Sequence, residues 1–439
     1  MPATQPLVPT DEGSLRARWG TASVAEIKNT VLAATEKSIL SKTVIALGLL
    51  IFAQKLAVPP NIELGFFVIA LLVAWLFIKG YAAIAAGRCI TYCGICALML
   101  LANAFSPLHN RISVNSLLFL LTVHIPFVFT VRISRAGYLR LLLWFQIFCL
   151  VIATAVYLQW LQQFLHMPML DMDSYLPAPV IFEHYNYVQK VNFSSPWYKP
   201  NGFFMLEASF ASQLLAMSVL VEIALFRRPL RILYVLAAQL ATFGGTGMFV
   251  LGVGMIGVMF YLKPKSVLAL LLAVPIALGA AYQLGVVKNA TGRAAEVFQP
   301  GTSGHGRFAA PGQIALDTVK SSTAAAYLGL GAGVVSPYQT HETDTLNPIA
   351  KLVIEYGIPI ALLFIIWFHS ILLTSGVPFI VTLAVILQYD LTGGGLMIPL
   401  QTYYCLLLSA LFIPFAALRP FDPGVRQPRN LLRPPQPVG

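Results

Sequence analysis

The chain has 439 residues, 58% of them hydrophobic and only 10% charged, with a formal net charge of +11 and a mean hydropathy of +0.77. Ordinary soluble domains carry roughly a quarter charged residues. A soluble fold of this length has too little interior for so much apolar side chain, so the composition excludes that class and makes the bilayer the solvent.

Residues 1–39 form a polar N-terminal segment. The first apolar run comes too late, and without an A-x-A site, to read as a cleavable signal peptide. Within it, residues 13–38 have the pattern of an amphipathic surface helix. A spanning helix takes about 20 mostly apolar residues. Twelve such segments follow between residues 40 and 418, at 40–57, 62–79, 88–105, 114–131, 139–162, 203–226, 229–243, 246–262, 266–286, 348–368, 371–388 and 399–418. The seventh and eighth are short and meet at Gly244-Gly245-Thr246-Gly247. There is no internal repeat. The Pro- and Arg-rich tail, 419–439, reads as disordered. The expected fold class is therefore an all-α polytopic integral membrane protein with about 12 transmembrane helices and a large outer loop between helices 9 and 10.

Lys and Arg orient such a chain, because cytoplasmic loops retain them. With the N-terminus inside, the inner segments hold 19 of the 28 Lys and Arg residues, and the short outer loops hold only Lys55 and Arg111. Both termini are expected to be cytoplasmic. The net charge then reads as an inner collar facing anionic membrane lipid, with no nucleic acid involved. Cys89, Cys93, Cys96, Cys149 and Cys405 all fall in apolar runs. No His or carboxylate lies near the CxxC of Cys93 and Cys96, so these read as small packing residues and no disulfide is expected.

Two outer segments, 163–202 and 287–347, are much longer than the remaining turns, and loops of that length in a compact protein are usually functional. The second contains NATGRAAEVFQPGTSGHGRFAAPGQ, which supplies Arg293, His305 and Arg307 among small residues. Glycines let backbone pass close to a bulky ligand, and a guanidinium forks onto two phosphate oxygens. The stretch APGQIALDTVKSSTAAAYLG that follows predicts a short amphipathic helix started by Pro311.

Charge then crowds at the start of the tenth helix. His341, Glu342 and Asp344 precede Asn347, Lys351 and Glu355, and the last three fall at i, i+4 and i+8 on one face. A charge in a span is costly and faces the protein interior or a wet cavity, so Glu355 needs a partner, and Lys351 is one turn away. It is either half of a structural ion pair or part of a cavity lining. The sixth helix repeats the arrangement: WYKPNGFFMLEASFASQ sets Lys199 and Asn201 at the membrane edge and Glu207 about two turns deeper. Glu222, at the far end of that helix, is expected to snorkel beside Arg227.

This order of elements resembles the O-antigen ligase and Wzy-type polysaccharide polymerase family. Arg307 after a Gly, then GLGAG (Gly329 to Gly333), then Asn347 and LVIEYG with Glu355 and Gly357, follow the family's run of Gly-Arg, Gly-x-Gly, His-Asn and Glu-x-Gly. KPNGFFMLEASFAS is similar to the Arg-x-Asn-Gly-x-Phe segment of its exopolysaccharide polymerase branch. Three positions depart from the pattern. Lys199 stands where relatives often have Arg, Gly245-Thr246-Gly247 where Ser-Arg-Gly is common, and Leu346 where a His precedes the Asn.

The resemblance implies a glycosyltransferase in the bacterial inner membrane, with its site facing the periplasm. It would act on a polyprenyl diphosphate-linked glycan without metal, nucleotide sugar or other cofactor, alongside chain-length regulator and export proteins. In a polymerase the acceptor is a hydroxyl of the next repeat unit. Cations must then offset charge on the leaving diphosphate and a base must take the hydroxyl proton. Arg307, Arg293 and Lys199 suit the first task. His341 or Glu342 suits the second, with Glu207 and Glu355 as rivals; Asn201, His305, Asn347 and Lys351 complete the expected binding set. One D-x-D pair, Asp171-Met172-Asp173, is the remaining metal-binding signal. A ligase acting on lipid A core is the alternative within the family. A secondary transporter or glycan flippase is the alternative outside it, although transporters bind at the midplane between repeats.

Overall fold

The computed structural model describes residues 27, 32–58, 62–108, 111–182, 188–191, 195–259, 262, 298–335, 346–391 and 395–415. Over these residues the chain is mostly helical. In order run α1 (Ala34–Phe52), β1 (Ala57–Val58), β2 (Ile62–Glu63), α2 (Leu64–Ile78), β3 (Ala82–Ile84), α3 (Ala86–Ala104) and α4 (Val114–His124). Next come β4 (Phe129–Ser134), α5 (Arg135–Phe164), α6 (Ala208–Val221), α7 (Pro229–Ala241) and α8 (Gly245–Met259). The second half holds α9 (Ser303–Phe308), α10 (Ala310–Ser321), α11 (Thr323–Leu328), α12 (Pro348–Thr374), α13 (Phe379–Leu391), α14 (Pro399–Cys405) and β5 (Phe412–Phe415).

Each predicted span overlaps a helix, apart from 266–286, which lies outside the described residues, as do most of 13–38 and all of 419–439. Among the described residues four helices are long and apolar enough to cross a membrane: Ala86–Ala104, Arg135–Phe164, Ala208–Phe226 and Pro348–Thr374. The amphipathic helix expected after Pro311 is α10, with that proline in its first turn.

The expectation of purely helical structure needs correction at two span ends. The predicted fourth span, 114–131, stops being α-helix at His124. Pro126 has no N–H for the helix ladder, the chain tightens over Ile125–Val128, and the β-branched run that follows is strand β4. The predicted twelfth span, 399–418, widens over Leu406–Ala410 and ends in β5. β3 pairs antiparallel with β4, and β5 parallel with β4, as a three-stranded sheet. Pro414 is tolerated because β5 is an edge strand. Arg88 donates to the carbonyl of Ala410 at 3.0 Å, and Trp367 Nε1 to that of Arg88 at 3.1 Å, which fasten α3 and α12 to this sheet end. Lys79, Arg88, Arg132 and Arg135 lie in or beside the sheet, so basic residues from separate loops share one end of the bundle.

α6 is the centre of the core, with every residue from Ala208 to Val221 buried. It packs against α8, and a Cβ on Gly247 would stand only 2.0 Å from Ser212 Oγ. Small residues at such a crossing let two backbones approach, the usual means of helix association where lipid removes the hydrophobic drive. The polar groups of α6 are matched by neighbours. Gln213 Nε2 donates to Thr246 Oγ1 at 3.0 Å, Ser212 Oγ to the Gly244 carbonyl at 2.8 Å, and Gln146 Nε2 to the Ser218 carbonyl at 3.1 Å. Away from the sheet, α10 and α11 form a second small core with the first turns of α12, through Ile314, Ala325, Leu330 and Ile354. This cap closes the loop end of the bundle.

Candidate functional site

The backbone before α6 decides where Glu207 stands. The predicted sixth span starts at 203, but the helix starts at Ala208, because Gly202 and Phe203 turn at φ +69° and +67°. Glu207 is therefore the residue just before the helix and not two turns inside it. A buried polar network holds the turn. Asn201 Nδ2 donates to Asp171 Oδ2 at 2.5 Å, Gln159 Nε2 to Asn201 Oδ1 at 2.8 Å, and the Gly202 N–H to Gln159 Oε1 at 2.8 Å. The Lys55 ammonium pairs with Asp171, both side chains buried, and stands 4.0 Å from Asp173.

Arg307 reaches the same place from the cap. It lies on α9, whose start is capped by Thr302 Oγ1 accepting from the His305 N–H at 3.3 Å. The Phe308 ring contacts that of Phe249 at 5.3 Å, which ties α9 to α8. The outcome is an ion pair between residues a hundred positions apart: Arg307 Nη2 donates to Glu207 Oε2 at 3.1 Å. Ser209 Oγ donates to the same oxygen at 3.0 Å. The Arg307 side chain is 22% exposed and that of Glu207 11%, so the guanidinium is the more open partner. His305, on the same short helix, is buried, and its Nδ1 has no hydrogen-bond partner among the described residues.

The second carboxylate is built into backbone. α12 starts with Asn347 Oδ1 accepting from the Ala350 N–H at 2.8 Å. Lys351 Nζ stands 3.9 Å from Glu355 Oε1, the i, i+4 pair expected from the sequence. Glu355 Oε1 also accepts from the Gly333 N–H at 3.1 Å, while the N–H groups of Leu330 and Gly331 donate to the carbonyls of Ile354 and Glu355 at 2.8 and 3.0 Å. GLGAG thus runs along the turn of α12 that ends at Gly357, where φ is +76° and the helix breaks. Glu355 is buried, and its Oε2 has no partner among the described residues.

Of the predicted site residues, the structure joins Glu207 with Arg307, sets His305 beside that pair in the chain, and joins Lys351 with Glu355. Asn201 is fully buried and engaged by Asp171, Gln159 and the Phe203 N–H; Asn347 serves as a helix cap. The Lys199 N–H donates to the Gln189 carbonyl at 2.7 Å. Arg293, His341 and Glu342 lie outside the described residues. Glu222 is forked by Arg228, with both nitrogen–oxygen distances 2.6 Å, and its carbonyl accepts from the Arg227 N–H at 2.6 Å, where the left-handed backbone of Arg227 turns the chain. Sequence reasoning missed Lys55, Gln159 and Ser209. The signal for Gln159 was a glutamine pair, Gln159 and Gln163, spaced one turn apart in an apolar run. Asp171 of the D-x-D pair is occupied by Lys55 and Asn201, and the described residues contain no group of three or more His, Cys, Asp or Glu able to hold a metal.

A cation and a carboxylate held together at a partly open position can bind an anion, move a proton, or do both in turn. No protein-family model and no curated protein matches the chain.

Proposed function

We propose that the chain is a metal-independent glycosyltransferase of the membrane that joins polyprenyl diphosphate-linked oligosaccharide units into a surface or extracellular polysaccharide. The observation that carries this reading is the meeting of Arg307 with Glu207 at the loop end of the bundle, where the cap reaches a buried helix start. The leaving group of such a reaction is a diphosphate, and a guanidinium matches paired phosphate oxygens with parallel N–H donors. The acceptor hydroxyl must lose a proton, and among the described candidates Glu207 is the carboxylate in contact with Arg307. The loop end is read as periplasmic and the sheet end as cytoplasmic, because basic residues of separate loops collect at the sheet.

Incubating the purified protein in lipid nanodiscs with lipid-linked repeat units tests the reading. A ladder of longer lipid-linked glycans is the expected result. Transfer to an added lipid A core would make the protein a ligase, and movement of lipid-linked glycan across the bilayer with no covalent product would make it a transporter.

A further inference from the structure

The guanidinium that the proposed reaction needs is already in use. Arg307 is held by Glu207, and among the described residues no other carboxylate pairs with it. The pair is lopsided. Arg307 is the more exposed member, so an anion arriving from solvent meets its free N–H edge first. Glu207 keeps a second donor, Ser209 Oγ, on the same oxygen that Arg307 holds. Losing Arg307 would therefore not leave the carboxylate unanchored. A carboxylate and a phosphate present similar paired oxygens to a guanidinium, but a diphosphate carries more charge and binds it more strongly.

We infer that Glu207 is a resident stand-in for the phosphate of the substrate and that Arg307 changes partners when a diphosphate binds. The inference rests on the reading of Arg307 as the diphosphate contact. In the exchanged state Arg307 faces the phosphate oxygens, and Glu207 stays beside them on Ser209 with its charge uncompensated. The oxygen that Arg307 held is then open to the acceptor hydroxyl at the moment a base is needed. The acceptor hydroxyl oxygen then forms the new bond to the anomeric carbon. The bond from that carbon to the phosphate oxygen breaks, its electron pair leaves with the diphosphate, and the hydroxyl proton passes to Glu207. The ion pair thus serves as a latch that keeps the carboxylate quiet until the leaving group is in position.

Binding of inorganic pyrophosphate, and of polyprenyl diphosphate, to the full chain in nanodiscs would test this with Glu207→Gln, Arg307→Gln and the double variant. Removing the competitor should tighten pyrophosphate binding by roughly two- to fivefold, the range expected for a partly exposed ion pair. The same substitution should abolish transfer. The tightening should vanish in the Arg307→Gln background, since the effect acts through that side chain. Tightening that persists without Arg307 would be a general effect of removing negative charge and would overturn the exchange. Unchanged affinity in Glu207→Gln, with Arg307→Gln unable to bind, would overturn the exchange but keep Arg307 as the diphosphate contact. Full pyrophosphate affinity in Arg307→Gln would overturn that underlying reading itself. Should Glu207→Gln not fold, Glu207→Asp, which keeps the charge but shortens the reach, should tighten binding by a smaller factor; no change there would overturn the exchange.

Discussion

Gly329 and Gly357 cross backbone against backbone. A Cβ on Gly329 would lie 2.4 Å from the carbonyl of Glu355, and one on Gly357 would lie 2.4 Å from the carbonyl carbon of Tyr327. Both glycines also have positive φ, at +72° and +76°. The GLGAG run and the Glu-x-Gly turn, separated by some twenty residues of chain, are thus two sides of one contact. Gly357→Ala should lower stability by about 1–3 kcal/mol from backbone strain alone, before any clash is counted. Thermal midpoints in detergent should fall for alanine at either position. A midpoint unchanged at both would mean the crossing is looser than described.

The Glu355 carboxylate holds the middle of that crossing through the Gly333 N–H. Glu355→Gln keeps a carbonyl oxygen for the same donor, so it should fold nearly as well as the parent. Glu355→Ala strands a backbone donor and should cost about 1–3 kcal/mol. If the two variants have equal midpoints and both lose turnover, Glu355 acts on substrate and its link to Gly333 is incidental.

Lys55 and Asp171 form a buried pair at the base of the turn that presents Glu207. Asp171→Asn leaves the buried Lys55 with the more distant Asp173 and should destabilise the protein, by up to about 3–5 kcal/mol. Lys55→Met with Asp171→Asn together should recover part of that loss, because no buried ammonium remains there and the asparagine keeps an oxygen for Asn201 Nδ2. A chelator should not change the midpoint. A midpoint raised by a divalent cation and lowered by the chelator would return Asp171 and Asp173 to a metal site.

Arg307→Lys keeps the positive charge but loses the planar fork. It should retain expression and fold while losing most of the transfer activity. Near-normal turnover would reduce Arg307 to a point charge with no forked contact.

The proposed orientation rests on the basic residues gathered at the sheet. In a background without native cysteines, a cysteine at Ser303 should react with an impermeant thiol reagent on right-side-out vesicles, and one at Lys79 on inverted vesicles. The opposite pattern would turn the topology over.

Much of this molecule could be read along the chain. Apolar run length marked where helices fall among the described residues, and four of those helices have the length and composition to cross a membrane. The i, i+4 spacing of Lys351 and Glu355 was enough to bring the two together, since helix geometry is local. Pro311 likewise marked the start of α10. Other features were decided only by tertiary contact. The strands β4 and β5 lay hidden inside apolar runs, because a buried strand and a helix end have the same composition and only the partner strand separates them. Glu207 and Arg307 are a hundred residues apart, and nothing local specifies that a charge on one loop will meet a charge before another helix. Their pairing depends on how α8 carries Phe249 to Phe308 and how Asn201, buried on Asp171, turns the chain into α6. Short-range geometry is written in residue spacing; the joining of distant charges waits for the packing that excludes water and lipid from between them.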